Sequence, residues 1–477
     1  MRPRFLTSSS VAILLLAACG GGAAPASSAV PSVPAAASPA AAKPSVAASA
    51  PASGKPAASA SAKPAASGSA GASAGAAAGR GPIKVGLLEP LTGSFASTAK
   101  DNQDGFNLYL ETVSDTAAGR KIQAIYADTQ GQAPTALTKA KQLVESDKVQ
   151  ALMGITPTPE CYAVVDYVKE AHVPLIVSAN CSAEDLTTNP QHKSPYTVRL
   201  TQTNLGVADP GADWAYKNGV RKAILFTSDY GGGLEQSDAF AASFISRGGS
   251  VVQELHPALG APDFGPLLAQ LDASADAIWT FLPGADGLHF GLQYGDYSQG
   301  RKTQVMEAFA DVTAGPNLEQ LKDKAVGLIA SNVWSEAYDS PANQQFIKAF
   351  QVKYPGRLLS KDVVQGYVGA QALEETVKKV NGNIENTEQF MQALYALQLD
   401  TPKGPIKLDS NHDIVQNYYV YQTVKQGTGF QQKLLSTYKD VSAAGQFSPD
   451  QHAKLKIGTH KGQWVSMTKD KLQAITG

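Results

Sequence analysis

The side chains with the most specific chemistry in this 477-residue chain are three cysteines, Cys19, Cys161 and Cys181, and seven histidines, at 172, 192, 256, 289, 412, 452 and 460. The histidines are scattered. No pair has the spacing of a zinc site such as H-E-x-x-H, so no metal is expected. Cys161 has no histidine beside it in sequence to act as a base, so it does not read as a nucleophile. Glycine-rich phosphate loops are also missing. The first strand runs into "EPLTGSFAS" (89–97) rather than G-x-G-x-x-G. There is no G-x-x-x-x-G-K-[ST] loop and no G-x-S-x-G elbow. "DYGGGL" (229–234) lacks a phosphate-binding Lys and reads as a tight strand-to-helix turn. Neither catalysis nor a cofactor is expected.

Cys19 has a different context. Arg2 and Arg4 precede a short apolar run, Val11–Leu16, and two small residues, Ala17 and Ala18, lead into the cysteine. A charged start, a short apolar stretch and a small-residue site form a secretory signal. The run is far below the roughly 20 residues that span a bilayer. Leu16-Ala17-Ala18-Cys19 is similar to a bacterial lipobox, which implies a cysteine carrying diacylglycerol at a new N-terminus. From Gly20 to about Pro82 the chain is nearly all Ala, Ser, Pro and Gly, with Lys43, Lys55, Lys63 and Arg80 its only charges. Such a segment buries too little apolar surface to offset its ordering entropy. It reads as a tether with a root-mean-square reach of roughly 40–50 Å.

The remaining residues, 83–477, suffice for two lobes of ordinary size. The formal net charge is −1 and there is no basic stripe, which argues against a nucleic-acid partner. Short apolar runs alternate with amphipathic stretches. Strands are expected at 83–90, 121–128, 149–154 and 173–178, and after a break near 200 at 221–226, 250–256, 276–281, 303–309 and 325–330. Helices are expected between them, including ones near 234–247 and 264–273. Long helices follow at about 342–353, 362–379 and 386–398, with last strands near 406–408 and 415–423. This alternation predicts an α/β fold with two doubly wound parallel-sheet lobes. Ligands in such sheets bind beyond the carboxyl ends of the strands, which places a site in the cleft between the lobes.

Six segments in order carry a family likeness: "IKVGLLEPLTGSFASTAKDNQDGFNL", "LMGITPTPECYAVVDYVKEAHVPLIVSANCSAEDLT", "YTVRLTQTNLG", "ILFTSDYGGG", "DFGPLLAQLDASADAIWTF" and "PKGPIKLDSNHD". Over roughly 83–425 the sequence resembles the leucine/isoleucine/valine-binding-protein family, solute receptors of ABC importers with the type I periplasmic-binding fold. The resemblance implies lobes joined by a multi-strand hinge. It divides the chain into a signal peptide (1–18), a lipidated Cys and tether (19–82), lobe 1 (83–203 and 335–404), lobe 2 (204–334, with return strands 405–440) and a C-terminal extension (441–477).

The resemblance also implies site residues. The helix-start position that receives a carboxylate falls on Thr158. The loop after the next strand falls on Asn180, Cys181 and Ser182. The tyrosine over the ligand falls on Tyr230, and the nearest acid for an ammonium is Asp311. The opening loop, Thr92 to Thr98, lines the cleft. In an exported protein with Cys19 lipidated, Cys161 and Cys181 follow strands that the family places side by side, and they form the candidate disulfide. The expected protein is a monomeric, non-enzymatic receptor. It is held to a membrane through Cys19 and delivers an amino acid or similar small polar solute to an ABC permease. A sensor of the same fold, and less readily an enzyme, are the alternatives.

Overall fold

A computed structural model describes residues 80–297, 303–313 and 315–477. The signal segment, Cys19 and nearly all of the tether lie outside the described residues.

The first sheet has the order β2-β3-β1-β4-β5-β6. Its strands are β1 (Ile83–Glu89), β2 (Thr116–Ala117), β3 (Arg120–Asp128), β4 (Ala151–Gly154), β5 (Leu175–Val177) and β6 (Thr197–Arg199). All pairs are parallel except β2 with β3. Strands β1, β4 and β5 are apolar almost throughout because helices cover both faces. The intervening helices are α1 (Ala96–Thr112), α2 (Ala133–Glu145) and α3 (Thr158–Ala171). Pro134 and Pro159 sit in the first turns of α2 and α3, where the missing N–H costs nothing.

After α4 (Asn204–Lys217) the chain builds the second sheet from β7 (Lys222–Thr227), β8 (Ser250–Leu255), β9 (Ala277–Phe281), β10 (Gln304–Ala308) and β11 (Ile329–Asn332). Helices α5 (Gly231–Ser246), α6 (Gly265–Leu268), α7 (Ala285–Tyr297) and α8 (Gly315–Leu321) lie among them. The chain then forms α9 (Pro341–Lys353), α10 (Lys361–Lys379) and α11 (Thr387–Tyr395). Leu373 and Val377 of α10 and Phe390 and Leu394 of α11 join the core of the first lobe. Strands β12 (Gln398–Thr401), β13 (Gly404–Leu408) and β14 (Ile414–Gln426) return to the second sheet, whose order is β12-β13-β14-β11-β10-β9-β7-β8. Strand β15 (Gly429–Val441) pairs antiparallel with β14.

Some expected elements differ. The helix expected at 264–273 is only the four-residue α6, because Asp272 turns its carboxylate onto the Ser274 N–H and closes a local turn instead. The strand expected at 325–330 begins at Ile329, since a 3₁₀ turn occupies Lys322–Ala325 and Gly327 has φ of +92°. The return strands are longer than expected and form a hairpin. Strand β15 was not expected, because it is half exposed and carries two Gln and two Lys, which blurs its alternation.

Helices α1 and α10 touch through glycines. A Cβ added at Gly105 would lie 1.8 Å from the Val363 carbonyl oxygen, and one at Gly366 would lie 1.9 Å from that of Asn102. This close approach fixes the start of α10 against the first lobe. Arg357, just before it, binds Asp104 at 2.6 Å and also pairs with Asp101, which accepts from the hydroxyl of Ser360.

The segment after β15 folds onto the second lobe through α12 (Pro449–Leu455) and α13 (Lys469–Thr476). The buried Trp464 between them donates its indole N–H to Asp238 of α5, and its backbone N–H to Glu254 of β8. His452 of α12 reaches Glu184 of the first lobe at 3.0 Å. Among the described residues no helix is long and apolar enough to cross a membrane.

Candidate functional site

A small cavity lies between the lobes. Its walls come from segments beyond the carboxyl ends of strands of both sheets. Phe95 and Thr98 follow β1, Thr156 follows β4, Asn180 follows β5 and Gln202 follows β6. From the second lobe, Tyr230 follows β7, Phe281 and Pro283 end β9, and Phe309 and Asp311 follow β10. Lys361 enters from the first turn of α10.

Four rings form the apolar part. Tyr230 meets Phe95 edge-on at 6.4 Å between centroids and lies nearly parallel to Phe281 at 6.2 Å. Phe281 meets Phe309 at 5.2 Å. Burial, reinforced by the charges of Asp311, Glu235 and Asp286, pushes the Tyr230 phenol well above its usual range, so it stays protonated.

The polar part centres on Lys361. Its Nζ lies 2.7 Å from Asp362 Oδ1, 3.3 Å from Asn180 Oδ1 and 3.5 Å from Asp311 Oδ1, and 5.7 Å from the centre of the Phe309 ring. Burial disfavours the ammonium, but the carboxylates of Asp362 and Asp311 outweigh it and raise the Lys361 pKa. Burial pushes Asp311 up to about 6 against the pull of Lys361. Its second oxygen, Oδ2, is buried with no partner among the described residues. Behind Thr156, whose hydroxyl donates to Glu89 at 3.4 Å, burial and the nearby Glu160 raise the Glu89 carboxyl well above its ordinary value.

Of the residues singled out from the sequence, Thr98, Asn180, Tyr230 and Asp311 meet at this cavity. Thr158, Cys181 and Ser182 are placed elsewhere. Thr158 starts α3 and faces the start of α5, where a Cβ on Gly232 would come within 3.1 Å of its hydroxyl. Ser182 donates to Asn204 Oδ1 at 3.2 Å, behind the wall. Cys181 is buried and joined to Cys161 by a disulfide with Cα atoms 6.5 Å apart. That link pins the Asn180 loop to the first turn of α3.

Sequence reading missed Lys361, Gln202, Thr156 and Phe309, whereas Phe95 falls in the opening loop, 92–98, that was expected to line the cleft. Lys361 carried a signal. A cation in the first turn of a helix opposes the helix dipole, so a buried lysine there needs another reason. Gln202, in a short polar run between elements, carried none.

A two-lobed α/β chain with a cavity between the carboxyl ends of its two sheets has the geometry of a small-solute site. The periplasmic binding protein family model matches residues 82–428, and the chain belongs to that family. It has the type I fold of ABC transporter substrate-binding proteins, and the family is one of solute-binding proteins. The Leu/Ile/Val-binding protein homolog 6 of Brucella suis biovar 1 (strain 1330) is 29% identical over 366 residues, covering 75% of this chain and 92% of that protein. A solute-binding protein of an ABC transporter from Rhodopseudomonas palustris BisB5, solved with 3,4-dihydroxybenzoic acid, is 31% identical with a TM-score of 0.71, covering 76% of this chain and 98% of that one. Another from R. palustris, solved with 4-hydroxybenzoate, is 29% identical with a TM-score of 0.70, covering 75% and 97%.

Proposed function

We propose that this chain is an extracytoplasmic solute-binding lipoprotein of an ABC importer, and that its solute is a small aromatic carboxylic acid. The observation that carries the reading is the set of four aromatic rings around a buried lysine ammonium: Phe95, Tyr230, Phe281 and Phe309 with Lys361. Flat rings pack an aromatic solute in edge or offset geometries, and the ammonium suits its carboxylate. The ligands named for the two R. palustris proteins are of this class. The lobes close over the solute and present it to the permease as a monomer. Closure is driven by the contacts the solute makes only in the closed form.

A second reading rests on the unpartnered Asp311 Oδ2. That oxygen is an acceptor for an ammonium, as an amino acid requires, and the Brucella relative's name points the same way.

Calorimetric titration with 4-hydroxybenzoate and with leucine separates the two. The first reading expects 4-hydroxybenzoate to bind and Lys361→Met to weaken it by about tenfold or more, the loss of one charge-assisted hydrogen bond. Binding of leucine alone would replace it with the second. No binding of either, in a protein that melts cooperatively, would remove both.

A further inference from the structure

A chain of buried side chains runs from the hinge to the cavity. Lys403, in the turn between β12 and β13, is wholly buried. Its Nζ donates to the Leu200 carbonyl at 3.1 Å and to Gln365 Oε1 at 2.9 Å. Gln365, one turn beyond Lys361 on α10, donates its Nε2 to Gln202 Oε1 at 2.7 Å and to Thr201 Oγ1 at 2.9 Å. Thr201 donates its own hydroxyl to the same Gln202 oxygen at 2.9 Å. Gln202 lines the cavity.

The amide orientations in this chain follow from chemistry. As an ammonium, Lys403 has only donors to offer an amide that must answer it. The Gln365 atom facing Lys403 is therefore its oxygen, and the atom facing Gln202 is its nitrogen. Gln202 must in turn answer two donors with its oxygen. Its Nε2 is left as the free end, with no partner among the described residues.

We propose that Gln202 is a ligand-binding residue that donates its Nε2–H to an oxygen of the solute, and that Lys403 and Gln365 are positioning residues that hold it in that polarity. The proposal rests on the reading that the interlobe cavity holds the solute. It adds a requirement: the solute must present a hydrogen-bond acceptor, a carboxylate or hydroxyl oxygen, at Gln202. The arrangement also explains why an unpaired lysine is kept at the hinge. Among the described residues no carboxylate pairs with Lys403, and burial lowers its pKa to about 7. It remains a donor to Gln365 and Leu200 in either protonation state, since even the neutral amine has two hydrogens. The chain also spans two crossover segments and α10, so the cavity's preference is fixed where the lobes turn on each other.

Two measurements on the full chain test this. The first needs no solute. Side-chain amide exchange is followed by NMR in the ligand-free protein, with Gln202 and Gln365 assigned by triple resonance. The Gln202 amide protons should exchange with water clearly faster than those of Gln365. Any pattern in which Gln202 is not the faster overturns the proposal.

The second is Gln365→Glu. Glutamate still accepts from Lys403, but its other oxygen now demands a donor, so Gln202 must turn over and show its oxygen to the cavity. Its amide protons should become protected. The affinity for 4-hydroxybenzoate should fall by about tenfold or more with the melting temperature near that of the parent. Unchanged affinity in a folded variant with an unturned Gln202 would also overturn the proposal. If the parent protein does not bind 4-hydroxybenzoate, the aromatic-acid reading fails, and the exchange pattern still decides the relay.

Discussion

Lys361 of the first lobe places its ammonium 3.5 Å from the Asp311 carboxylate of the second lobe, across the cavity. The pair links the lobes without a solute, and it uses the group best suited to bind a carboxylate. Replacing Asp311 by Asn frees Lys361 from one of its two acidic neighbours. For an aromatic acid, affinity is expected to stay level or to tighten by up to about tenfold, or ~1.4 kcal/mol. For an amino acid the same change removes the ammonium acceptor, and binding is expected to fall by at least that factor. Titration of the variant with both probes reads the sign directly.

The buried acids set a pH dependence. Burial pushes Asp101 and Asp311 up to about 6, and Glu160 and Glu307 up to about 7. Each native pKa lies above its unfolded value, so the native state binds more protons between the two. Stability then rises as pH falls through the native pKa. Scanning calorimetry is expected to show a higher unfolding temperature at pH 5.5 than at pH 7.5. Glu160, with both oxygens buried and unpartnered, tests the cause. Glu160→Gln should stabilise at pH 7.5 and give a smaller gain or none at pH 5. An equal effect at both values would show that charge burial is not responsible.

The Cys161–Cys181 bridge closes a loop with a sequence separation of 20. In the chain-entropy model such a loop is worth about 3 kcal/mol. The unreduced, denatured chain is expected to show no titratable thiol from this pair. The double replacement by Ala should lower stability by that order in denaturant unfolding.

Gly366→Ala puts a methyl group where the Asn102 carbonyl already sits. Overpacking of this kind typically costs about 1–3 kcal/mol. Because α10 carries Lys361 and Gln365, solute affinity should fall along with the melting temperature. A stable variant with parental affinity would contradict the rigidity of the α1–α10 contact.

For the anchor, Cys19→Ala is expected to leave the two-lobed domain folded and to move it from the membrane fraction to the soluble one. Fractionation of expressing cells checks this, and unchanged partitioning would exclude lipid attachment at Cys19.

The parallel strands were legible because burial on both faces leaves nearly unbroken apolar runs such as "IKVGLLE" and "KAILFT". The hairpin β14–β15 was harder, since one of its strands alternates weakly and faces solvent. Asn180, Tyr230 and Asp311, which line the cavity from strand ends, were pointed to by the family likeness. Gln202 and Lys403 were not. Their roles arise from contacts between residues far apart in sequence, 163 positions for Gln202 with Gln365. Local pattern does not encode such pairings. The environment of Lys403 is equally invisible in sequence, since nothing in "TPKGP" marks its lysine as buried while the fold buries it completely.

The glycine contact between α1 and α10 bears on how new specificities arise on this scaffold. Lys361, which lines the cavity, stands on a helix whose backbone is in contact with its neighbour, so this part of the first-lobe wall has no slack. The opposite half consists of Tyr230, Phe281, Pro283, Phe309 and Asp311, all on loops or strand ends of the second lobe. Changes there alter shape without disturbing a helix interface. Laboratory evolution toward a different solute should accumulate its substitutions there, with Lys361 and its helix carried along unchanged.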